Sequence, residues 1–233
     1  MATSAAEQPP GHIVIVVVTG TKSEVTLMAA ISLLNLQTAL MTNPRPIRAD
    51  MHFVTDINQA LHAVHTTEGE DAAALVLDGS MGFSTDFVMR ALATDVPLLV
   101  GVHPLPVIDW QRVSSAPAGE DPRHWGNVYN VDPLGGGPDA NGYLAVDRTA
   151  HLGLLWLRAR VLKDIVARHP EVVSDDGSTA FACPGIYGGT MASAHRRFLD
   201  LHGGQVLADP RAGASTSGAA EFGGCVGARN VLR

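Results

Sequence analysis

Cysteine is nearly absent from this 233-residue chain: only Cys183 and Cys225 occur, and neither sits in a CxxC or paired-histidine spacing. A disulfide framework and a structural zinc site are therefore disfavoured. Lysine is as scarce, at Lys22 and Lys163, and the arginines are scattered, with 16 basic against 23 acidic residues and a net charge of −7. That balance gives no basic footprint for nucleic acid and no polybasic membrane anchor. The longest apolar run, 13–18, is far short of the roughly 20 residues that cross a bilayer. The first residues carry neither a basic cluster nor a hydrophobic stretch with a cleavage site, so no signal peptide is expected and the expected location is cytoplasmic. Phosphate-loop fingerprints are missing too: 19–23, Thr-Gly-Thr-Lys-Ser, matches neither GxGxxG nor GxxxxGK[ST].

What is present is apolar substance, 46 % of residues against 17 % charged, enough for a substantial core. The uninterrupted β-branched run 12–18 reads as a buried strand. A helical spacing follows over 24–41 and ends at Asn43-Pro44-Arg45-Pro46. The cycle repeats: strand 50–54, helix 56–65, strand 72–77, helix 85–93, strand 97–102. This alternation predicts an α/β fold, a mostly parallel central sheet with helices on both faces. Residues 1–11 read as a tail, and 12–233 as one domain with a flexible flap about 114–142, rich in Gly, Pro, Asp and Asn. Further on, 143–146 reads as a strand, 149–168 as one helix, 170–190 as loop, 192–202 as helix and 205–208 as a strand. No pattern emerges after Gly213.

In open parallel sheets ligands lie beyond the carboxyl ends of the strands, which selects Thr19 and Lys22, Asp78 and Ser80, and His103. Asp78 either faces a cleft or caps its turn through Asp-Gly chemistry. His103 can serve as a general base near neutrality or be a structural histidine. Cys183 opens a glycine-rich loop and would act as a nucleophile only beside a group that lowers its pKa. Asp109 and Trp110 offer a carboxylate and a stacking ring, and Arg196 and Arg197 offer a phosphate-pairing face or a solvated one. His195 and His202 are further reactive types near the expected cleft. His62 and His65, three apart on a helix, lack a third ligand for a metal.

Four segments in order resemble the GT-A glycosyltransferases, in their family-2-like viral and bacterial form. Leu77-Asp78-Gly79-Ser80-Met81-Gly82-Phe83 is similar to the acidic Asp-x-Asp motif. Leu99-Val100-Gly101-Val102-His103-Pro104-Leu105-Pro106-Val107-Ile108-Asp109-Trp110 is similar to the following "GvYPlKkiDW" segment. Residues 142–146 and 151–158 are similar to the "gyl.v…gtGfllir" segment, and 195–210 to the closing "rRwrdlGGevwaDP". The resemblance implies a GT-A-like fold and a nucleotide-sugar ligand. It also implies departures. Ser80 stands where the family places the second, cation-holding aspartate. Thr190 and Met191 stand where it places a Glu-Asp pair with the catalytic base. Its late histidine would fall at 215–217, where none occurs, and Val107 replaces its lysine. With these groups replaced, no cofactor is expected, and a divalent cation is disfavoured. Three readings follow: a metal-independent glycosyltransferase, a catalytically silent relative that binds a sugar, nucleotide or protein, and an enzyme of another type acting on a small polar substrate in the old donor pocket. The expected catalytic residues are Asp78, His103 and Cys183. The expected substrate contacts are Thr19, Lys22, Ser80, Asp109, Trp110, Thr190, Arg196 and Arg197. A homo-oligomer is compatible with all three.

Overall fold

The computed structural model describes residues 11–20, 24–45, 47–69, 72–119, 125–148, 150–174, 177, 179, 181, 191–217 and 221–223. In chain order the elements are β1 (His12–Val18), α1 (Leu27–Thr42), β2 (Arg48–Val54), α2 (Ile57–His65), β3 (Ala73–Asp78), β4 (Met81–Gly82), α3 (Thr85–Thr94), β5 (Leu98–Gly101), β6 (Pro104–Ile108), α4 (Trp110–Ser114), β7 (Asn127–Tyr129), β8 (Leu144–Val146), β9 (Leu154–Arg158), α5 (Ala159–Arg168), α6 (Met191–His202), β10 (Val206–Asp209), β11 (Ser215–Ser217) and β12 (Glu221–Gly223).

The central sheet has seven strands in the order β2-β1-β3-β9-β5-β10-β8. β2, β1, β3, β5 and β10 run one way, while β9 and β8 run against them. The mixed α/β architecture with a mostly parallel sheet agrees with the sequence expectation. β1 shows why both faces are covered. Ile13, Ile15 and Val17 pack with Leu33, Leu36 and Leu40 of α1 and Phe87 of α3. Val14, Val16 and Val18 pack with Leu61 and Val64 of α2 and Leu162 and Ile165 of α5. A strand buried on both sides has no polar alternation to show. Helix starts follow side-chain chemistry: Thr26, Asp56 and Ser84 accept from the backbone N–H of Ala29, Gln59 and Asp86.

The expected single helix over 149–168 is corrected. Leu154–Arg158 is a strand, every residue buried, and only Ala159–Arg168 is helical. An apolar run without alternation cannot be told from a buried helix by period alone. Here β3 and β5 stand on either side and supply the hydrogen-bond partners that make it a central strand. The segment beyond Gly213, without pattern in the sequence, supplies β11 and β12, which join β4 in a small second sheet. Within the stretch expected as a flap, β7 pairs with β6, and Asn130 and Val131 are buried. Of the expected tail 1–11, residues 1–10 lie outside the described residues, as do 120–124 of the expected flap, while Gly11 O accepts from the Arg48 N–H (3.0 Å).

Ion pairs made by the buried side chains of Asp209 and Arg158 tie elements together. Asp209, fully buried at the end of β10, accepts at Oδ2 from Arg90 Nε (2.9 Å) and Nη2 (2.7 Å) of α3. Its Oδ1 accepts from the backbone N–H of Arg211 (2.9 Å) and from its Nε (3.3 Å). Arg158, closing β9, pairs with Asp95, the left-handed residue (φ 49°) that ends α3. No described helix is long and apolar enough to cross a membrane.

Candidate functional site

The residues after β3, after β5 and before β9 meet at one edge of the sheet, because β9 runs opposite to its neighbours and so begins where they end. The Asp78 N–H donates to Gly153 O (2.9 Å), which locks the two ends together. A cavity of about 200 Å³ opens there, lined by Asp78, Ser80, Met81, His103, Leu105, Pro106, His151, Gly153, His195 and Thr216. It is smaller than the roughly 300–1,000 Å³ of drug-sized pockets and holds one small polar group rather than a whole nucleotide sugar.

Asp78 Oδ1 accepts from the Ser80 N–H (2.8 Å) and Oγ–H (2.6 Å). This is the Asx turn that Asp-Gly-Ser encodes, so the capping and the cleft-facing expectations are both met. Gly79 is needed at that turn, since a Cβ there would stand 3.2 Å from Glu24 O and 3.3 Å from Val18 O.

The two buried histidines are set in opposite tautomers by the backbone. His103 Nδ1–H donates to Gly101 O (3.0 Å), which leaves the Nε2 lone pair for the cavity. Burial, and to a lesser extent His151, push its pKa down to about 4; the Gly101 carbonyl and Asp78 pull the other way. His195 Nδ1 accepts from the Leu152 N–H (3.2 Å), so the neutral ring carries its proton on Nε2. That buried Nε2 has no hydrogen-bond partner, and the burial lowers the pKa to about 4, with His151 and His103 adding to the shift. Both rings belong to residues that line the cavity, His103 with an Nε2 lone pair and His195 with a buried Nε2–H that no described group accepts.

Asn130 organises the rim. Its Oδ1 accepts from the His103 N–H (2.9 Å), and its Nδ2 donates to Gly101 O (3.2 Å) and His151 O (2.8 Å). Thr216 Oγ1 donates to Pro104 O (3.1 Å), fastening β11 over the cavity. Gly153 makes room: a Cβ there would lie 2.6 Å from Met81 Cε and 2.9 Å from His103 Cε1 and Nε2. Gly153→Ala should therefore cost about 1–3 kcal/mol through overpacking and close the cavity. A thermal midpoint lower by several degrees, together with lost ligand response, checks this.

Of the residues expected from sequence, Asp78, Ser80 and His103 come together. Asp109 instead caps α4, its Oδ1 accepting from the N–H of Gln111 (3.0 Å) and Arg112 (3.1 Å), and Trp110 is 70 % exposed beside it. Neither lines the cavity. Thr19 spends its hydroxyl on Val54 O (3.1 Å), joining the β1 turn to β2. Arg196 is exposed on α6 and Arg197 half-buried, and neither lines the cavity. Lys22, Cys183 and Thr190 lie outside the described residues. Asn130 and Thr216 carried no sequence signal of their own; His151 and Gly153 entered only within the resembling segment 151–158, and His195 as a reactive type near the expected cleft.

The acidic motif of the resembled family holds a divalent cation, and the donors described at the cavity do not supply the carboxylate set that one prefers. Among the described residues Asp78 is the only carboxylate lining the cavity, its Oδ1 is occupied by Ser80, and the other side-chain nitrogen and oxygen atoms are those of imidazoles and hydroxyls. Among the described residues no three His, Cys, Asp or Glu side chains converge on one point.

No family model and no curated protein matches the chain. Among solved structures it is similar to a putative glucose-1-phosphate thymidylyltransferase from Bacillus anthracis in complex with a sucrose, at 10 % identity and TM-score 0.43 over 85 % of this chain and 86 % of that one. It is also similar to HddC from Yersinia pseudotuberculosis, at 12 % identity and TM-score 0.37 over 84 % and 88 %. The same HddC complexed with GMP-PN gives 11 % and 0.36 over 84 % and 88 %. At these scores the likeness extends to neither substrate nor chemistry.

Proposed function

We propose that this chain is a transferase of the nucleotide-sugar type whose donor places its glycosyl group in the Asp78–His103–His195 cavity without a cation cradle. The observation that carries this reading is the convergence of a carboxylate, an imidazole lone pair and an orphaned imidazole N–H in one cavity at the carboxyl edge of the parallel strands. A sugar hydroxyl both donates and accepts, so it satisfies His195 Nε2–H and Asp78 together. In transfer, an acceptor hydroxyl oxygen bonds to the anomeric carbon and passes its proton to His103 Nε2. The bond to the phosphate oxygen breaks, and its electron pair leaves with the phosphate. The proton then passes from His103 to the departing group.

A second reading is favoured by one observation. A histidine pushed down to about 4 is a weak base at neutral pH, which suits a relative that binds the sugar and does not turn it over.

The test is thermal stability against nucleotide sugars and free nucleotides, with Mn²⁺, Mg²⁺ or EDTA. A donor at about 100 times its Kd adds roughly 2.7 kcal/mol, expected equally in EDTA. Asp78→Asn keeps an acceptor for Ser80 but removes the charge, and should weaken binding about ten- to hundredfold. No shift with any donor overturns both readings. A shift with no released nucleotide sustains the second alone.

A further inference from the structure

β2 is the outermost strand of the seven, and among the described residues none pairs with its outer edge. Its hydrogen-bonding phase is set by β1: the Arg48 N–H donates to Gly11 O, and Val54 O accepts from the Thr19 N–H. Arg48, Asp50, His52 and Val54 therefore turn their backbone groups inward, and Ala49, Met51 and Phe53 turn theirs outward. The register with β1 places the side chains of Ala49, Met51 and Phe53 on the face of Ile13, Ile15 and Val17, and those of Arg48, Asp50 and His52 on the other. Met51 is 39 % exposed and Phe53 57 %. An open edge carrying an apolar row is what natural sheets cover or blunt, and β2 has no proline, bulge or lysine to blunt it.

We infer that β2 pairs antiparallel with β2 of a second copy of this chain, about a two-fold axis through Met51, to make one sheet continuous across a dimer. A two-fold axis requires a self-complementary strand, and this one is. Met51 meets Met51 and Ala49 meets Phe53 as the hydrogen-bonded pairs, using the backbone groups that point outward. Asp50 meets the second copy's His52 at the positions where side chains approach closest. Sliding by two residues one way would set Asp50 against Asp50, and the other way would set His52 against His52, and either slip loses the two Asp50–His52 pairs that select the Met51-centred register. Asp50 is held in place for this role by His12 (2.9 Å) and Arg48 (2.8 Å). α1, on the apolar side of the edge, carries no charged residue to oppose the approach.

Size-exclusion chromatography with light scattering on the full chain tests the assembly, with a mass of twice the 24.5 kDa chain expected. Met51→Lys should shift it to monomer. His52→Asp, which sets two carboxylates face to face, should weaken the dimer by roughly tenfold, while His52→Lys leaves it intact. These side chains are exposed, so neither change enters the core, and far-UV circular dichroism checks the fold. In a Cys183→Ser/Cys225→Ser background, Met51→Cys should oxidise to a linked dimer, because paired Cα atoms there stand about 5.5 Å apart; His52→Cys should not. A single-chain mass at every concentration, a dimer indifferent to Met51→Lys, or equal cross-linking at 51 and 52 would overturn the inference.

Discussion

Asp209→Ala should lower stability by about 3–5 kcal/mol, the largest effect expected of any single substitution here. The carboxylate has no exposure to water and is held by four donors, two from Arg90 and two from Arg211. Removing it leaves the Arg90 guanidinium, 26 % exposed, without its carboxylate and bonded only to the neutral Arg211 O among the described residues. Such an uncompensated partner costs more than the pair itself contributes. The loss also unfastens α3 from β10. At roughly 2–4 °C per kcal/mol for a chain of this size, the thermal midpoint should fall by about 10 °C or more. Arg112→Ala is the control. Its pair with Asp109 lies at the surface, 56 % and 35 % exposed, and its removal should leave the midpoint nearly unchanged. Equal midpoints for Asp209→Ala and the wild type would refute the argument.

Acid should destabilise the protein through His103 and His195 before most carboxylates titrate. Both rings sit at about 4 when folded and return to 6.5 when the chain unfolds. Between those values the unfolded chain binds protons that the folded one refuses, so stability rises with pH across the window. The contribution is fully present above 6.5 and is lost as pH falls through it toward 4. Each ring accounts for on the order of 3 kcal/mol at 1.36 kcal/mol per unit, about twice that together. Urea midpoints at pH 7 and pH 4.5 measure it. The double variant His103→Asn/His195→Asn is the comparison, since an asparagine amide can still donate to Gly101 O and accept from the Leu152 N–H. Its midpoint should change much less between the two pH values. If wild type and variant decline in parallel, the histidines are not the cause.

The two histidines also show how far the site was legible in the sequence. His103 could be placed from sequence, because it follows an apolar strand and topology puts such positions over a cleft. Asp78 could be placed for the same reason, and Asp-Gly-Ser spelled out its turn. His195 sat on a recognisable helix, but nothing in its neighbours said which way the ring faced or that Leu152 would claim its Nδ1. Asp109, Trp110, Arg196 and Arg197 looked equally functional as residue types. The fold turned Asp109 to a helix cap and left Trp110 and Arg196 in solvent. Residue type is local, whereas exposure depends on what the rest of the chain lays over it.

β9 marks the same boundary in the fold. Its residues Leu154-Leu155-Trp156-Leu157 continue without a break into a good helix, and the local pattern favours helix throughout. Two strands with unsatisfied edges, β3 and β5, decide otherwise, because buried backbone groups must be paired. That reversal brings His151 and Gly153 to the carboxyl edge and creates the cavity.

By itself the sequence determined the alternation of buried strands and helices and the turn at Asp78, both of which follow from residues near one another in the chain. Only the tertiary structure decided the antiparallel strand in the sheet centre, the burial of Asp209 between two arginines, the opposite tautomers of His103 and His195 and the outermost place of β2 among the described strands. Each of these is set by partners distant in sequence, through hydrogen bonds and desolvation that a local pattern does not contain.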